Sequence, residues 1–252
     1  MNSARARGLG EAIIQSSPTA TDILLAPSLR ADDRTLYFEA GVARRFDLSE
    51  LDVGYVAAVY RSGALTYGLG LQQFGQSDLY AEKTVRALGA YQRGGVSAGV
   101  SVSGKSLEFG GGYGSLSAVS LGLAAGYHER RLLIDVTLDE INRPQLSSGA
   151  PREPLAGTVY AELLGSSSFT LSGRARFQER AKPSLGVGQS LSLSEYGRLS
   201  WGLKSEPLEY GAGFEFRKGK YALHYTGSFH PALGYSQNAS LVINFTSSTK
   251  QK

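Results

Sequence analysis

From residue 35 onward, apolar and polar side chains alternate with a period of two along almost the whole chain. Leu208, Tyr210, Ala212, Phe214 and Phe216 fall on one side, and Glu209, Gly211, Gly213, Glu215 and Arg217 on the other. Successive side chains of a strand point to opposite faces, so such a segment is a ribbon with two chemically different surfaces. The next segment repeats the pattern, with Tyr221, Leu223, Tyr225 and Phe229 against Ala222, His224, Thr226 and Ser228. Leu65, Tyr67, Leu69 and Leu71 likewise oppose Thr66, Gly68, Gly70 and Gln72. Leu199, Trp201 and Leu203 oppose Arg198, Ser200 and Lys204. Leu51, Val53, Tyr55, Ala57 and Val59 read as one apolar face.

The alternation predicts strands at 35–46, 50–61, 63–74, 83–93, 95–104, 117–129, 130–139, 154–164, 167–179, 184–195, 197–205, 207–217, 220–229 and 237–246. Residues 107–113 also alternate and are read as a loop or strand extension, because single-chain bacterial barrels have even strand numbers. Segments of about 9–13 residues match a tilted strand crossing a bilayer, whereas soluble strands average about 5–6. The expected fold is therefore all-β: a closed antiparallel transmembrane barrel of about 14 strands. Its apolar face meets lipid and its polar face lines the lumen. That polar face is mostly Gly, Ser, Thr and Ala, which predicts a narrow or partly filled lumen. Tyr and Phe near strand ends fit an aromatic girdle, or serve simply as strand formers. Hairpins are expected near Ser62, Gly94, Glu129 and Lys218. The longer connections, 76–83, 105–116, 142–153 and 231–236, are expected outside the cell.

Residues 1–34 break the pattern. Residues 19–25 suit one or two helical turns, capped by Ser17 or Thr19 and stopped by Pro27. Such a segment either folds into the lumen as a plug or trails as a periplasmic tail. The apolar Ile13, Ile14, Ile23, Leu24, Leu25 and Leu29 favour the plug. The expected organisation is a plug at 1–34, a barrel at 35–246 and a tail at 247–252.

Composition narrows the reading. The chain of 252 residues holds 32 glycines, well above an average of roughly 7%. No apolar run approaches the ~18 residues of a helical span, a limit that leaves a barrel untouched. Without cysteine there is no disulfide and no thiolate metal site. A scattered net charge of +4 does not describe a nucleic-acid surface. Arg44, Arg45, Arg130 and Arg131 read as turn residues near lipid head groups. Residues 1–10 lack the apolar centre of a signal peptide, so the numbering is read as that of an exported, mature chain.

A charge facing lipid at mid-bilayer costs roughly 2–4 kcal/mol for Arg. Glu39, Asp52, Arg86, Asp135, Asp139, Glu162, Arg174, Arg176, Glu215 and Arg217 are therefore expected to face the lumen or an interface. There they can pair with one another or with Arg5, Arg7 and Glu11 of the plug. The candidate plug-to-lumen ion pairs draw on Arg5, Arg7, Glu11, Arg174, Arg176, Glu215 and Arg217. His128, His224 and His230 are expected at strand ends or in loops, without a shared metal. No Gly-x-Ser-x-Gly elbow is present, and the glycines at 110–112 lead to no Lys-Ser/Thr. No catalytic residue, enzyme activity or cofactor is expected.

The termini carry a resemblance. Ser3-Ala4-Arg5-Ala6-Arg7-Gly8-Leu9-Gly10-Glu11-Ala12, followed by Ala26-Pro27-Ser28-Leu29, resembles the opening of PorV/PorQ-type outer-membrane proteins, which belong with FadL-like long-chain fatty acid transporters. Leu9 stands where Met is usual, Glu11 replaces the second Gly of a pair, and Ala26-Pro27-Ser28 lacks the usual Asn. His230-Pro231-Ala232-Leu233-Gly234 and Ser240-Leu241 resemble the family's closing hairpin. Leu241, Ile243 and Phe245 are similar to a C-terminal barrel-assembly signal. The resemblance implies a 14-stranded barrel with an N-terminal plug in the outer membrane of a Gram-negative-type bacterium. It implies passive uptake or binding of small hydrophobic molecules, held within the barrel and released laterally through a strand defect. Its alternative is a non-transporting subunit or cargo-docking partner of a larger, type IX secretion-like outer-membrane complex. The implied partners are outer-membrane lipid, a hydrophobic small molecule or such a complex. A soluble β-rich binding protein is the third reading.

Overall fold

The computed structural model describes residues 3–29, 35–76, 78–111, 114–166 and 168–246; the expected tail at 247–252 lies outside them. The described strands are β1 (Thr35–Arg45), β2 (Leu48–Ser62), β3 (Leu65–Gln76), β4 (Tyr80–Arg93), β5 (Val96–Phe109), β6 (Ser115–His128) and β7 (Leu132–Asp139). They continue with β8 (Ala156–Leu164), β9 (Phe169–Gln178), β10 (Ser184–Ser192), β11 (Gly197–Ser205), β12 (Leu208–Lys218), β13 (Tyr221–His230) and β14 (Gly234–Thr246). Each pairs antiparallel with its neighbours in sequence. β1 closes on β14 from Thr35 opposite Thr246 to Arg44 opposite Gln237, so the sheet is a barrel without side edges. The alternation places most strand ends well. β5 is the main departure: it runs on to Phe109, so 107–109 are strand extension rather than loop.

Lipid selects the outward face. Leu69, Leu121, Leu123, Leu185, Trp201, Phe214, Leu223 and Leu241 all stand exposed on the wall. Aromatic rings bound this band. Tyr60, Tyr67, Tyr91, Tyr127 and Tyr221 are exposed toward the end that holds the start of β1 and the finish of β14, here the near end. Phe177, Tyr210, Phe229 and Tyr235 are exposed toward the opposite, far end. Eight residues separate Tyr221 from Phe229. At about 3.4 Å per residue and a tilt near 40°, that is roughly 20 Å along the barrel axis, close to the height of an outer-membrane apolar band.

Inward positions are mostly small or polar, as in Ser97, Ser101, Thr137, Ser172, Ser190, Thr226 and Ser240, all buried. β2 departs from the expected orientation. Val53, Tyr55, Ala57 and Val59 face inward and are buried, while Val56 and Tyr60 meet lipid. Both faces of β2 are apolar, so alternation alone could not say which way it points. The inward choice gives residues 3–29 something to pack against, as described below.

Near-end turns are tight, at 63–64, 94–95 and 219–220. The four connections expected to be long all lie at the far end. Three are shorter than expected because the strands run further, at 77–79, 110–114 and 231–233, whereas the fourth, 140–155, is longer than expected because β7 stops at Asp139 and β8 begins only at Ala156. The far rim is uneven, since β6 has 14 residues and β7 only 8.

A lipid-facing charge tests the orientation. Leu123 lies midway along the apolar band of β6. Leu123→Arg should lower unfolding free energy by roughly 2–4 kcal/mol in urea titrations of the protein in lipid vesicles. The inward Ser120→Ala should change it far less.

Candidate functional site

Residues 3–29 run inside the barrel. The segment begins with a short helix, α1 (Ala4–Gly8), whose N-cap Ser3 accepts a hydrogen bond from the Ala6 amide. A second, α2 (Ala20–Leu25), is closed by a capping box. The Thr19 hydroxyl accepts from the Asp22 amide, and the Asp22 carboxylate accepts from the Thr19 amide. Asp22 also joins the two helices, binding Arg5 at 2.5 Å and accepting from the Ser3 hydroxyl at 3.0 Å. Thr19 is thus the cap, as one of the two expected candidates, while α1 carries no signal in the alternation.

Apolar packing holds one side of the segment. Ile13, Ile23, Leu24, Ala26 and Leu29 form a single buried cluster with Tyr37, Ala57, Val59, Leu88 and Tyr160 of the wall. Tyr55 ties this side together. Its hydroxyl donates to Glu39 at 3.2 Å and accepts from the Ala4 amide at 3.2 Å, while Glu39 also accepts from the Thr21 amide at 3.0 Å. The Tyr55 ring lies over Gly41 on the neighbouring strand, filling the space a side chain would occupy.

On the other side the chain rises along β9–β12. Leu9 and Gly10 lie against Gly186, Gly188 and Gly202, where a methyl group would overlap the segment's backbone. Gly10 and Glu11 both take left-handed backbone conformations, with φ of +66° and +65°. Glycine enters that region freely and glutamate does not. Glu11 is held there by its carboxylate, which meets Arg174 at 2.7 Å and Lys204 at 3.0 Å. Lys204 in turn meets Glu209 at 3.0 Å. Further contacts follow as the chain descends. The Gln15 and Ser16 amides both donate to the Glu162 carboxylate. The Ser28 hydroxyl donates to Asp135, which holds His128 at 3.0 Å, and the Ser97 hydroxyl donates to the Ser28 carbonyl at 2.7 Å.

The expected ionic residues therefore meet in two clusters. Arg174 and Glu11 form one. Arg5, Glu215 and Arg217 form the other: Glu215 lies 3.9 Å from Arg5 and 2.8 Å from Arg217. Among the described residues, Arg7 and Arg176 make no ion pair within 4.0 Å. Arg86 pairs with Asp139 within the wall at 2.8 Å, and Asp52 with Arg44 near the far rim at 3.0 Å, so neither reaches the segment. Several partners were not expected: Asp22, Lys204, Arg198 (3.9 Å from Glu215) and His224 (3.3 Å from Glu215). Asp22 was legible as the third residue after a Thr cap, and Lys204 lay on the polar face of its strand. His224 corrects the expectation for the histidines. It sits within β13 and points inward, buried among Glu215, Thr226 and Ser200, rather than at a strand end. The cavity beside Arg5, Ile14, Arg198 and His224 measures about 10 Å³, room for one water and not for a hydrocarbon.

Leu241, Ile243 and Phe245 stand on the outward face of β14, the closing strand. Leu241 and Phe245 are exposed and Ile243 half-exposed.

No protein-family model matches the chain, and no curated protein matches it by sequence. Solved structures do. A CymD monoaromatic hydrocarbon channel superposes with a TM-score of 0.68 at 10% identity, covering 96% of each chain. The Pseudomonas putida toluene transporter TodX does so with a TM-score of 0.66 at 10% identity, again over 96% of each. The likeness runs end to end and is one of fold: this is a closed 14-stranded antiparallel barrel, as in those two structures.

Glu11 makes the docking of the segment measurable. Burial works against its carboxylate, but Arg174 and Lys204 outweigh burial and hold its pKa below the usual value of 4.5. A lowered carboxylate pKa stabilises docking at pH above 4.5, and this contribution is lost as pH falls through the lowered value. Glu11→Gln should weaken docking by on the order of 3 kcal/mol, because it strands the buried Arg174 and leaves Lys204 with Glu209 alone. Faster amide hydrogen exchange across residues 6–16 at neutral pH, with an unchanged barrel wall, is the expected readout.

Proposed function

We propose that the chain is an outer-membrane barrel of a Gram-negative-type bacterium through which small hydrophobic molecules enter passively, with residues 1–34 as its plug. The end-to-end likeness to CymD and TodX, described as a monoaromatic hydrocarbon channel and a toluene transporter, carries this reading. The exposed apolar band between two aromatic girdles supports a setting in lipid. The expected assembly signal at Leu241, Ile243 and Phe245 fits the outward face of the closing strand. Arg5, Glu11, Arg174 and Glu215 hold the plug, Arg217 pairs with Glu215 within the wall, and among the described residues Arg7 and Arg176 make no ion pair. The space beside Arg5 and His224 admits no hydrocarbon, so passage at that point requires the segment to move.

That packing also favours a second reading: a barrel that transports nothing and serves a larger outer-membrane complex, as the PorV/PorQ-type resemblance implies. A tether separates the two. The chain has no cysteine, so an engineered pair is the only one present. A Cβ on Gly8 would lie 3.2 Å from the Ser200 hydroxyl oxygen, within reach of a bridging sulfur once the Thr226 side chain, 3.1 Å from that Cβ, shifts by a few tenths of an ångström. In intact cells supplied with radiolabelled toluene, the oxidised Gly8→Cys/Ser200→Cys protein should reduce initial uptake to the rate of cells lacking the barrel. Reductant should restore it. Uptake that never depends on the wild-type barrel would reject the channel and leave the second reading.

A further inference from the structure

β6 outruns its neighbour. Its register with β7 covers only Leu123 to His128, opposite Leu138 to Leu133, while its register with β5 continues out to Ser115. One edge of Ser115, Leu116, Ser117, Ala118 and Val119 therefore has no strand beside it, although the segment keeps its extended, β5-paired form. The last β7-side contacts come from the connection that follows β7. The Ile141 amide donates to the Leu121 carbonyl at 3.1 Å. The Asn142 side chain accepts from the Leu121 amide at 3.0 Å and donates to the Val119 carbonyl at 2.9 Å. Asn142 thus imitates one residue of a missing strand. Since odd-numbered residues of β6 face β7 here, the next edge groups are the Val119 amide and both backbone groups of Ser117. None of these has a hydrogen-bond partner among the described residues.

Height places this edge outside the hydrocarbon. Val119 is eight residues above Tyr127, the same spacing that separates the two girdles on β13. Unpaired backbone groups within lipid are very costly, so a free edge is tolerable only at or beyond the outer interface. An exposed edge in water is normally blunted by lysine, proline or a bulge. Nothing of that kind occurs here: residues 115–127 contain no charged residue and no proline. Val119 is 57% exposed beside the edge, and Ile141 and Leu121 are also exposed next to it.

From this edge we infer that Ser115 to Val119 of β6 form a docking site for an extended segment of another protein, which adds antiparallel as a short strand above the end of β7. The amide and carbonyl of Ser117 and the amide of Val119 supply the pairing, and Val119 and Leu121 supply an apolar strip that selects its side chains. The occupant is an extended polypeptide because the free groups repeat at strand spacing, and Asn142 already shows that the edge accepts a strand-like partner. This inference is independent of whether the barrel conducts.

Amide hydrogen exchange of the full-length protein tests it. Exchange of residues 115–121 is compared between native outer-membrane fragments and purified protein in nanodiscs of lipids extracted from the same membrane. The site predicts exchange slower by about tenfold or more in the native fragments. The difference should vanish in Ser117→Pro, which removes an edge amide that no strand ladder of the barrel uses, and in Ser117→Lys, which blunts the edge. Both variants are first checked for the heat-shifted gel mobility of a folded barrel. Equally fast exchange in both settings would overturn the site. Slow exchange already present in nanodiscs would also overturn it, and would assign the cover to lipid or a second copy. Protection that persists in both variants would mean the edge backbone is not what binds.

Discussion

Lipid hydrocarbon offers no hydrogen bonds, so every backbone amide and carbonyl that crosses it must find a partner within the protein. In this chain, strands meet the demand by closing β1 onto β14 over ten residue pairs. Closure has a further effect. A sheet buried on one side and facing lipid on the other turns its large apolar residues outward, which leaves the interior to small and polar side chains. The interior must then be filled by something else, and residues 3–29 fill it. They carry in the isoleucines and leucines that a soluble domain would draw from its sheet. The inward turn of Val53, Tyr55, Ala57 and Val59 is the wall's half of the same core.

Charge inside that space behaves differently from charge on the rim. The Arg44 and Asp52 pair is exposed at the far rim, where water screens it, and such pairs contribute little to stability. Arg5 with Asp22, and Glu11 with Arg174 and Lys204, are shielded from solvent. Breaking a pair of this kind leaves an uncompensated charge, which makes the contacts strict about register even where their net stabilisation is modest. Glu11 shows the consequence in the backbone. It occupies a left-handed position that favours glycine, and the two cations hold it there. The departure from the glycine pair of the resembling proteins thus comes with its own local compensation in this chain.

The strands were legible because the bilayer imposes a length and lipid imposes a period, and both survive in single residues such as Leu208, Tyr210 and Phe214. The face of β2 was not legible, because Val56 and Tyr60 are as apolar as Val53 and Val59 and only the segment inside decides between them. The partners of Glu11 were only half legible. Arg174 and Lys204 both sit on polar faces, but nothing local connects residue 11 to strands more than 160 residues away. Asp22 could be read as a cap, though not as the link between two helices. The free edge of β6 was hidden as well, since it depends on where β7 stops rather than on the sequence of β6.

These separations also set an order of events. Glu11 waits for β9 and β11, Gln15 for β8, and Ser28 for β7, contacts spanning 163, 147 and 107 residues. Residues 3–29 are made before the strands they dock on and settle after them. Until the wall surrounds it, the run of Ile13, Ile14, Ile23, Leu24 and Leu29 has no cover of its own. The journey of this chain to the membrane is thus an exercise in keeping a greasy segment apart from its neighbours, and the final docking reports that the cylinder around it has been finished correctly.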